Sequence, residues 1–237
     1  MIQAIFFDLD DTLHDSQRPF RRAMEQSFPH PYASVPSDTA YKMFRHFSDL
    51  LWPAYCRGDV SLADLRAERI IRMMEHQGFV ISRQEAERFQ ACYEREQQRI
   101  ELFSDASAVL TELQEMGLLI GIITNGPVKH QAGKIAALGL DSAIQSEHIF
   151  ISDAVGIAKP DQQIFEWVAR QVGHSPGHLL YVGDTWENDV AAAMEAGWHS
   201  IWYNHRSRKP ETDHQPLAEI RLLSDILDVW KGAEKEG

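Results

Sequence analysis

The stretch FFDLDDTL, Phe6 to Leu13, decides how this chain is read. It closes an apolar run, IQAIFFDL (residues 2–9), that reads as a short buried strand. Within four residues that strand delivers three aspartates, Asp8, Asp10 and Asp11. Carboxylates so close repel one another, and gathering them at the end of a buried strand is costly unless a cation offsets them.

Working outward, further segments share the character of the first. LLIGIIT ends at Thr124, HIFIS at Ser152, LLYVGD at Asp184 and HSIWYN at Asn204. Each is short, apolar and rich in β-branched or aromatic residues, as strands buried on both faces are. Helical patterns lie between them. In DASAVLTELQEMG, Val109, Leu110, Leu113 and Met116 share a face and Gly117 is the stop. In PDQQIFEWVARQVG, Pro160 suits the first turn, Ile164, Phe165, Val168 and Val172 form the stripe, and Gly173 ends it. ENDVAAAMEAG follows the same plan. This alternation predicts an α/β fold with a Rossmann-like, doubly wound parallel sheet.

The alternation breaks between about His14 and Gln98, where only helical patterns occur. Phe20, Met24 and Phe28 mark the first helix; Ala40, Phe44, Phe47 and Leu51 mark the second. The third and fourth begin at SLAD and SRQE, where Ser61 with Asp64 and Ser82 with Glu85 form capping-box patterns. The expected organisation is a core of residues 1–13 and 99–237 with an inserted helical domain of residues 14–98. NHRSRKPETDHQP reads as an exposed polar loop, LAEIRLLSDILDVW as a terminal amphipathic helix, and KGAEKEG as a fraying end.

Composition narrows the function. The 237 residues suffice for one large domain or a domain with an insert. A net charge of −12 argues against a nucleic-acid polymer or an acidic membrane as partner, because phosphate backbones need a basic face. It leaves room for a small anion held by a local positive site. The two cysteines, Cys56 and Cys92, lack metal or redox spacing and are expected as free thiols in a reducing compartment. With a strand beginning at Ile2 and no apolar run near the roughly 20 residues that span a bilayer, a cytoplasmic location is expected.

Ligands of open α/β sheets bind beyond the carboxyl ends of the strands. Those ends supply Asp8 and Asp10; Thr124, Asn125 and Gly126; Lys159, from GIAKP; and Asp184 with Asp189, from GDTWEND. Such an inventory is coherent for phosphoryl transfer. Oxygen ligands in close array suit Mg²⁺. A carboxylate can attack phosphorus, a lysine and a hydroxyl can hold phosphoryl oxygens, and a second acid can move the proton.

DLDDT, ITNG, GIAKP and GDTWEND resemble, in order, the four motifs of the haloacid dehalogenase-like (HAD) hydrolases. The resemblance implies a phosphatase in which Asp8 is the nucleophile and Asp10 the general acid/base. Thr124, helped by the Asn125 amide, binds phosphate, as does Lys159, which also steadies Asp8. Mg²⁺ is the implied cofactor, held by Asp8, the Asp10 carbonyl and Asp184, with Asp189 acting through water. Asp11 is expected off the reacting centre, capping the following turn or binding backbone amides. The helical insert resembles a C1 cap, and LWPAYCRGDVSLADLRAERI resembles the cap of the pyrimidine 5′-nucleotidase and phosphoglycolate phosphatase-like branch.

The implied activity is Mg²⁺-dependent hydrolysis of a small phosphorylated metabolite through a phospho-aspartate, by a monomer or homodimer. Asp10 argues against dehalogenation, because hydrolytic dehalogenases of this resemblance lack an acid two positions after the nucleophile. Two alternatives stay open at this level. One is a phosphotransferase of the β-phosphoglucomutase kind, which shares the same core chemistry and which no core motif here excludes. The other is a binding protein on a catalytically retired scaffold, which predicts a lost motif residue where none is lost.

Overall fold

The computed structural model describes residues 2–28 and 37–233. They divide into two compact units, one of residues up to Asp15 together with those from Glu101 onward, the other Ser16–Ile100.

The first unit is built on one sheet. Strand β1 is Ala4–Phe7. The helices α1 (Arg18–Ser27), α2 (Ser37–Cys56), α3 (Leu62–His76) and α4 (Arg83–Gln97) belong to the second unit. The chain then returns through α5 (Ala106–Glu115), β2 (Leu119–Thr124), α6 (Val128–Ala137), α7 (Leu140–Ala143), β3 (Ile149–Ile151) and α8 (Ser152–Val155). It ends with α9 (Gln163–Val172), β4 (Leu179–Gly183), α10 (Ala192–Glu195), β5 (His199–Tyr203), β6 (Ala218–Ile220) and α11 (Asp225–Ala233). The six strands pair in the order β3-β2-β1-β4-β5-β6, all parallel.

Both faces of the sheet are covered, which explains the unbroken apolar runs. Ile5 and Phe7 of β1 pack with Ile120, Ile122, Leu180 and Val182 on one face, against Val109, Leu113 and Ile226 of helices. Ala4 and Phe6 pack on the other with Tyr181, Ile164, Phe165 and Val168. Successive residues pointing to opposite faces is the period of a strand. The order reverses at β1, whose neighbours are β2 and β4, so a crevice opens beyond their carboxyl ends. Gly121 sits in register with Phe6, whose ring lies across it.

The helical unit has its own aromatic core of Phe20, Phe44, Phe89 and Tyr93 with Ile70, Met73 and Met74. Its last two helices start where the caps were expected. Ser61 accepts from the Asp64 amide, and Ser82 with Glu85 forms a complete reciprocal box.

Three local expectations are corrected. LAEIRLLSDILDVW is not one helix: Ala218–Ile220 forms β6, because the open edge of β5 offers hydrogen bonds at 2.8 Å on both sides, Leu217 N–H to Ser200 O and Asn204 N–H to Ile220 O. Helix α11 begins later, at Asp225, whose carboxylate accepts from the Leu222 amide, and it includes Lys231–Ala233; the rest of the expected fraying end, residues 234–237, lies outside the described residues. Pro160 precedes α9 rather than opening it, with a cis Lys159–Pro160 peptide and a turn closed by Asp161 N–H to Ala158 O. ENDVAAAMEAG starts as a wide π-helical turn over Trp186–Ala191, and only Ala192–Glu195 is α-helical. Both the Asp189 and Val190 amides point at the Thr185 carbonyl, which widens that turn.

A Cβ at position 121 would stand 2.1 Å from the Phe6 ring and 2.7 Å from the His148 carbonyl oxygen. Gly121→Ala is therefore expected to destabilise the protein by about 1–3 kcal/mol through overpacking. Urea unfolding should show a lower midpoint with an unchanged slope.

Candidate active site

The sequence-predicted residues meet at the carboxyl ends of β1, β2 and β4. Asp8 follows β1, its amide bonded to the Val182 carbonyl of β4 at 2.9 Å. The backbone then turns sharply. Asp11 adopts a φ of 61°, a left-handed conformation that aspartate tolerates better than most residues, and its amide bonds the His14 carbonyl. The turn separates the three aspartates into three environments.

Asp8 is buried and meets Lys159. The Lys159 ammonium donates to Asp8 Oδ1 at 2.8 Å, to Asp189 Oδ1 at 2.6 Å and to the Tyr181 hydroxyl at 2.7 Å. Three acceptors saturate its three protons. The Tyr181 hydroxyl in turn donates a hydrogen bond to the Ile123 carbonyl. Asn125 fixes the Lys159 backbone from both sides, accepting from its N–H at 3.0 Å and donating to its C=O at 2.8 Å. The Asn125 side chain thereby positions the lysine segment.

Asp184 and Asp189 complete the group. The oxygens of Asp8, Asp184 and Asp189 lie within 4.8 Å of one another, and all three residues are buried. Gly183 permits this approach, since a Cβ there would fall 2.4 Å from Asp189 Cβ and Cγ. The second Asp189 oxygen accepts from the Thr185 amide. Burial pushes the Asp8 carboxyl up to about 7; Lys159 works against this, and Asp189 and Asp10 with it. Burial likewise raises Asp184 well above the carboxylate range, reinforced by Asp189 and Asp8. Lys159 loses solvation by burial, yet Asp189 and Asp8 hold it well above its ordinary value. Three buried carboxylates around one buried ammonium leave negative charge to spare. This hard-oxygen donor set fits a divalent cation.

The Asp10 carboxylate stands apart from that trio, 31% exposed. It faces Lys134, whose ammonium lies 2.6 Å from both its oxygens, as well as Gln131 and His14, each at 3.0 Å. Burial would raise Asp10, but Lys134 and His14 hold it well below the usual range. Thr124 is buried, and its hydroxyl accepts from Gln131 at 2.5 Å.

Both Asp11 oxygens pair with the Arg206 guanidinium, at 2.7 and 3.1 Å. Arg208 reaches Asp184 Oδ2 at 2.9 Å. The loop expected to be merely exposed therefore turns two arginines inward. Buried Asn204 sets its shape, accepting from the Arg208 amide and donating to the Arg208 carbonyl, and Ser207 between the two arginines has a φ of 53°. Sequence reasoning missed Gln131, Lys134, Tyr181, Arg206 and Arg208. The one readable signal was the i, i+3 spacing of Gln131 and Lys134 on the helix after ITNG.

Because folding raises Asp8 from 3.8 to about 7, its contribution to stability is full when it is protonated and is lost as pH rises through that window. With divalent ions chelated, the stability of the parent protein relative to Asp8→Asn should fall between about pH 4 and pH 7, as read by urea unfolding. A constant gap would contradict the burial of this carboxyl.

Comparison with known proteins agrees with this architecture. Residues 2–197 match the family model for haloacid dehalogenase-like hydrolases. A glyceraldehyde 3-phosphate phosphatase from Methanopyrus kandleri is 26% identical over 242 residues, covering 100% of both chains. The pyrimidine 5′-nucleotidase PynA from Streptococcus pneumoniae is 29% identical, covering 94% of this chain and 93% of its own. Among solved structures, the L-2-haloacid dehalogenase from Xanthobacter autotrophicus superposes with a TM-score of 0.71 at 19% identity, over 98% of this chain and 99% of its own, a likeness of fold. Among the described residues, no helix is long and apolar enough to cross a membrane. With most of its length matched by that one family model, the chain belongs to the haloacid dehalogenase-like hydrolase family.

Proposed function

We propose that this protein is a Mg²⁺-dependent phosphomonoester hydrolase that acts on a small phosphorylated metabolite through a phospho-Asp8 intermediate. The observation that carries the reading is the Lys159 ammonium bonded at once to Asp8 and Asp189, beside Asp184, at the crevice between β1 and β4. The relatives named as phosphatases and as a nucleotidase support the substrate class.

Asp8 and Asp184 would hold the Mg²⁺, with Asp189 acting through water and the Asp10 carbonyl as the further ligand the family resemblance implies. Bound there, the ion would offset the repulsion between Asp8 and an incoming phosphate. Lys159 occupies Asp8 Oδ1, which leaves Oδ2 to attack phosphorus. As the Asp8–phosphorus bond forms, the bond to the leaving oxygen breaks, and that alkoxide takes a proton from Asp10, which must gain one as substrate binds because Lys134 and His14 hold it ionised beforehand. Water then attacks the phospho-aspartate, its proton goes to Asp10, and phosphate departs. The Thr124 hydroxyl accepts from Gln131, so its own proton is directed to a phosphoryl oxygen. The helical unit Ser16–Ile100 acts as the cap that selects substrate.

Purified protein is expected to hydrolyse p-nitrophenyl phosphate with Mg²⁺ and to lose that activity in EDTA. Asp8→Asn should lower turnover by at least about a thousandfold. Asp10→Asn should leave substrate binding largely intact while slowing the departure of poor leaving groups or the breakdown of the phosphoenzyme. Near-normal turnover by Asp8→Asn would overturn the nucleophile assignment.

A further inference from the structure

We propose that Gln131 and Lys134, on one face of α6, are positioning residues that set the orientation of Asp10 and couple it to the phosphate-holding Thr124. This inference rests on the hydrolase reading above and adds two residues to it.

The geometry is specific. Gln131 is buried, and its side-chain nitrogen lies 2.5 Å from Thr124 Oγ1 and 3.0 Å from Asp10 Oδ2. One amide group has two N–H donors, so a single side chain serves both acceptors. Lys134 follows one helical turn later and places its ammonium 2.6 Å from both Asp10 oxygens. His14 Nε2 also stands 3.0 Å from Oδ1, and among the described residues His14 Nδ1 is buried without a hydrogen-bond partner. Three side chains thus converge on one carboxylate, and only one of them comes from its own loop. The approach of Gln131 depends on Gly126: a Cβ there would lie 3.2 Å from Gln131 Cγ, and its φ of 141° is a glycine conformation.

A surface ion pair does not need this. An exposed lysine would pair with any nearby acid, whereas here a half-buried lysine takes both oxygens of the acid/base residue while its helical neighbour bridges that residue to the phosphate site. The two contacts fix how the carboxylate plane faces the leaving group.

The test compares two esters in Mg²⁺. p-Nitrophenolate leaves with little need of a proton, whereas the alkoxide of glycerol 2-phosphate needs one. For Lys134→Met, turnover of glycerol 2-phosphate should fall roughly 10- to 100-fold, with KM within about threefold of the parent. The first-turnover burst of p-nitrophenolate should stay within about threefold of the parent rate. Lys134→Gln should show the same split and covers the case in which the methionine variant fails to fold. Lys134→Arg, which keeps a cationic donor, should recover part of the loss. Gln131→Leu should slow both esters, because Thr124 loses its donor too. Equal losses on both esters for the Lys134 variants, or no loss, would overturn the inference while leaving the hydrolase reading intact. A parent protein inactive on both esters would overturn the hydrolase reading and this inference with it.

Discussion

The Lys159 ammonium is the contact on which the rest of the site depends. It is a buried cation shared by Asp8, Asp189 and Tyr181, drawn from three separate segments. Burying any one of these charges alone would be prohibitive, and together they are tolerable because every proton of the ammonium has an acceptor. Much of the surrounding structure serves this arrangement. Asn125 holds the lysine backbone, the Ile123 carbonyl orients Tyr181, and the absence of a side chain at Gly183 lets Asp189 come close. The wide turn at Trp186–Ala191 follows from the same demand, since Asp189 must point back toward the strand it has just left.

Negative charge still exceeds positive charge, and the protein spreads the excess rather than cancelling it at one point. Asp10 goes to Lys134, Asp11 to Arg206, and one oxygen of Asp184 to Arg208. Each aspartate of DLDDT therefore has its own cation from a different part of the chain. The three sit within four residues of sequence, yet their carboxylates differ in environment.

The parallel core was legible because parallel strands buried on both faces carry unmistakable runs, and because such a sheet brings all its carboxyl ends to one edge. Asp8, Thr124, Lys159, Asp184 and Asp189 could therefore be gathered from pattern alone. The cations were harder to see. Arg206 meets Asp11 across 195 positions, and nothing in a polar loop announces that Asn204 and Ser207 fold it inward. Lys134 looked like one more charged residue on a helix until its neighbours in space were known. The sixth strand was hidden because AEI is short and runs into residues with a helical pattern; only the vacant edge of β5 makes it a strand. Pattern reports what a segment prefers, and these cases were decided by what lay beside it.

The place of β1 in the sheet has a consequence for how the molecule is made. Residues 4–7 are synthesised before every other strand of the sheet but lie in its middle, paired on one side with residues from 119 and on the other with residues from 179. Until some 170 further residues exist, as the register of Ala4 with Leu179 requires, this apolar strand has at least one unpaired edge. Such non-local pairing is slow to form and leaves nascent chains prone to aggregation. It also means that no product truncated before Asp189 can assemble the acidic centre, because Asp8 is seated only when β4, which leads into Asp184, has docked beside it. Chemistry and completion of the fold are thereby tied to the same event.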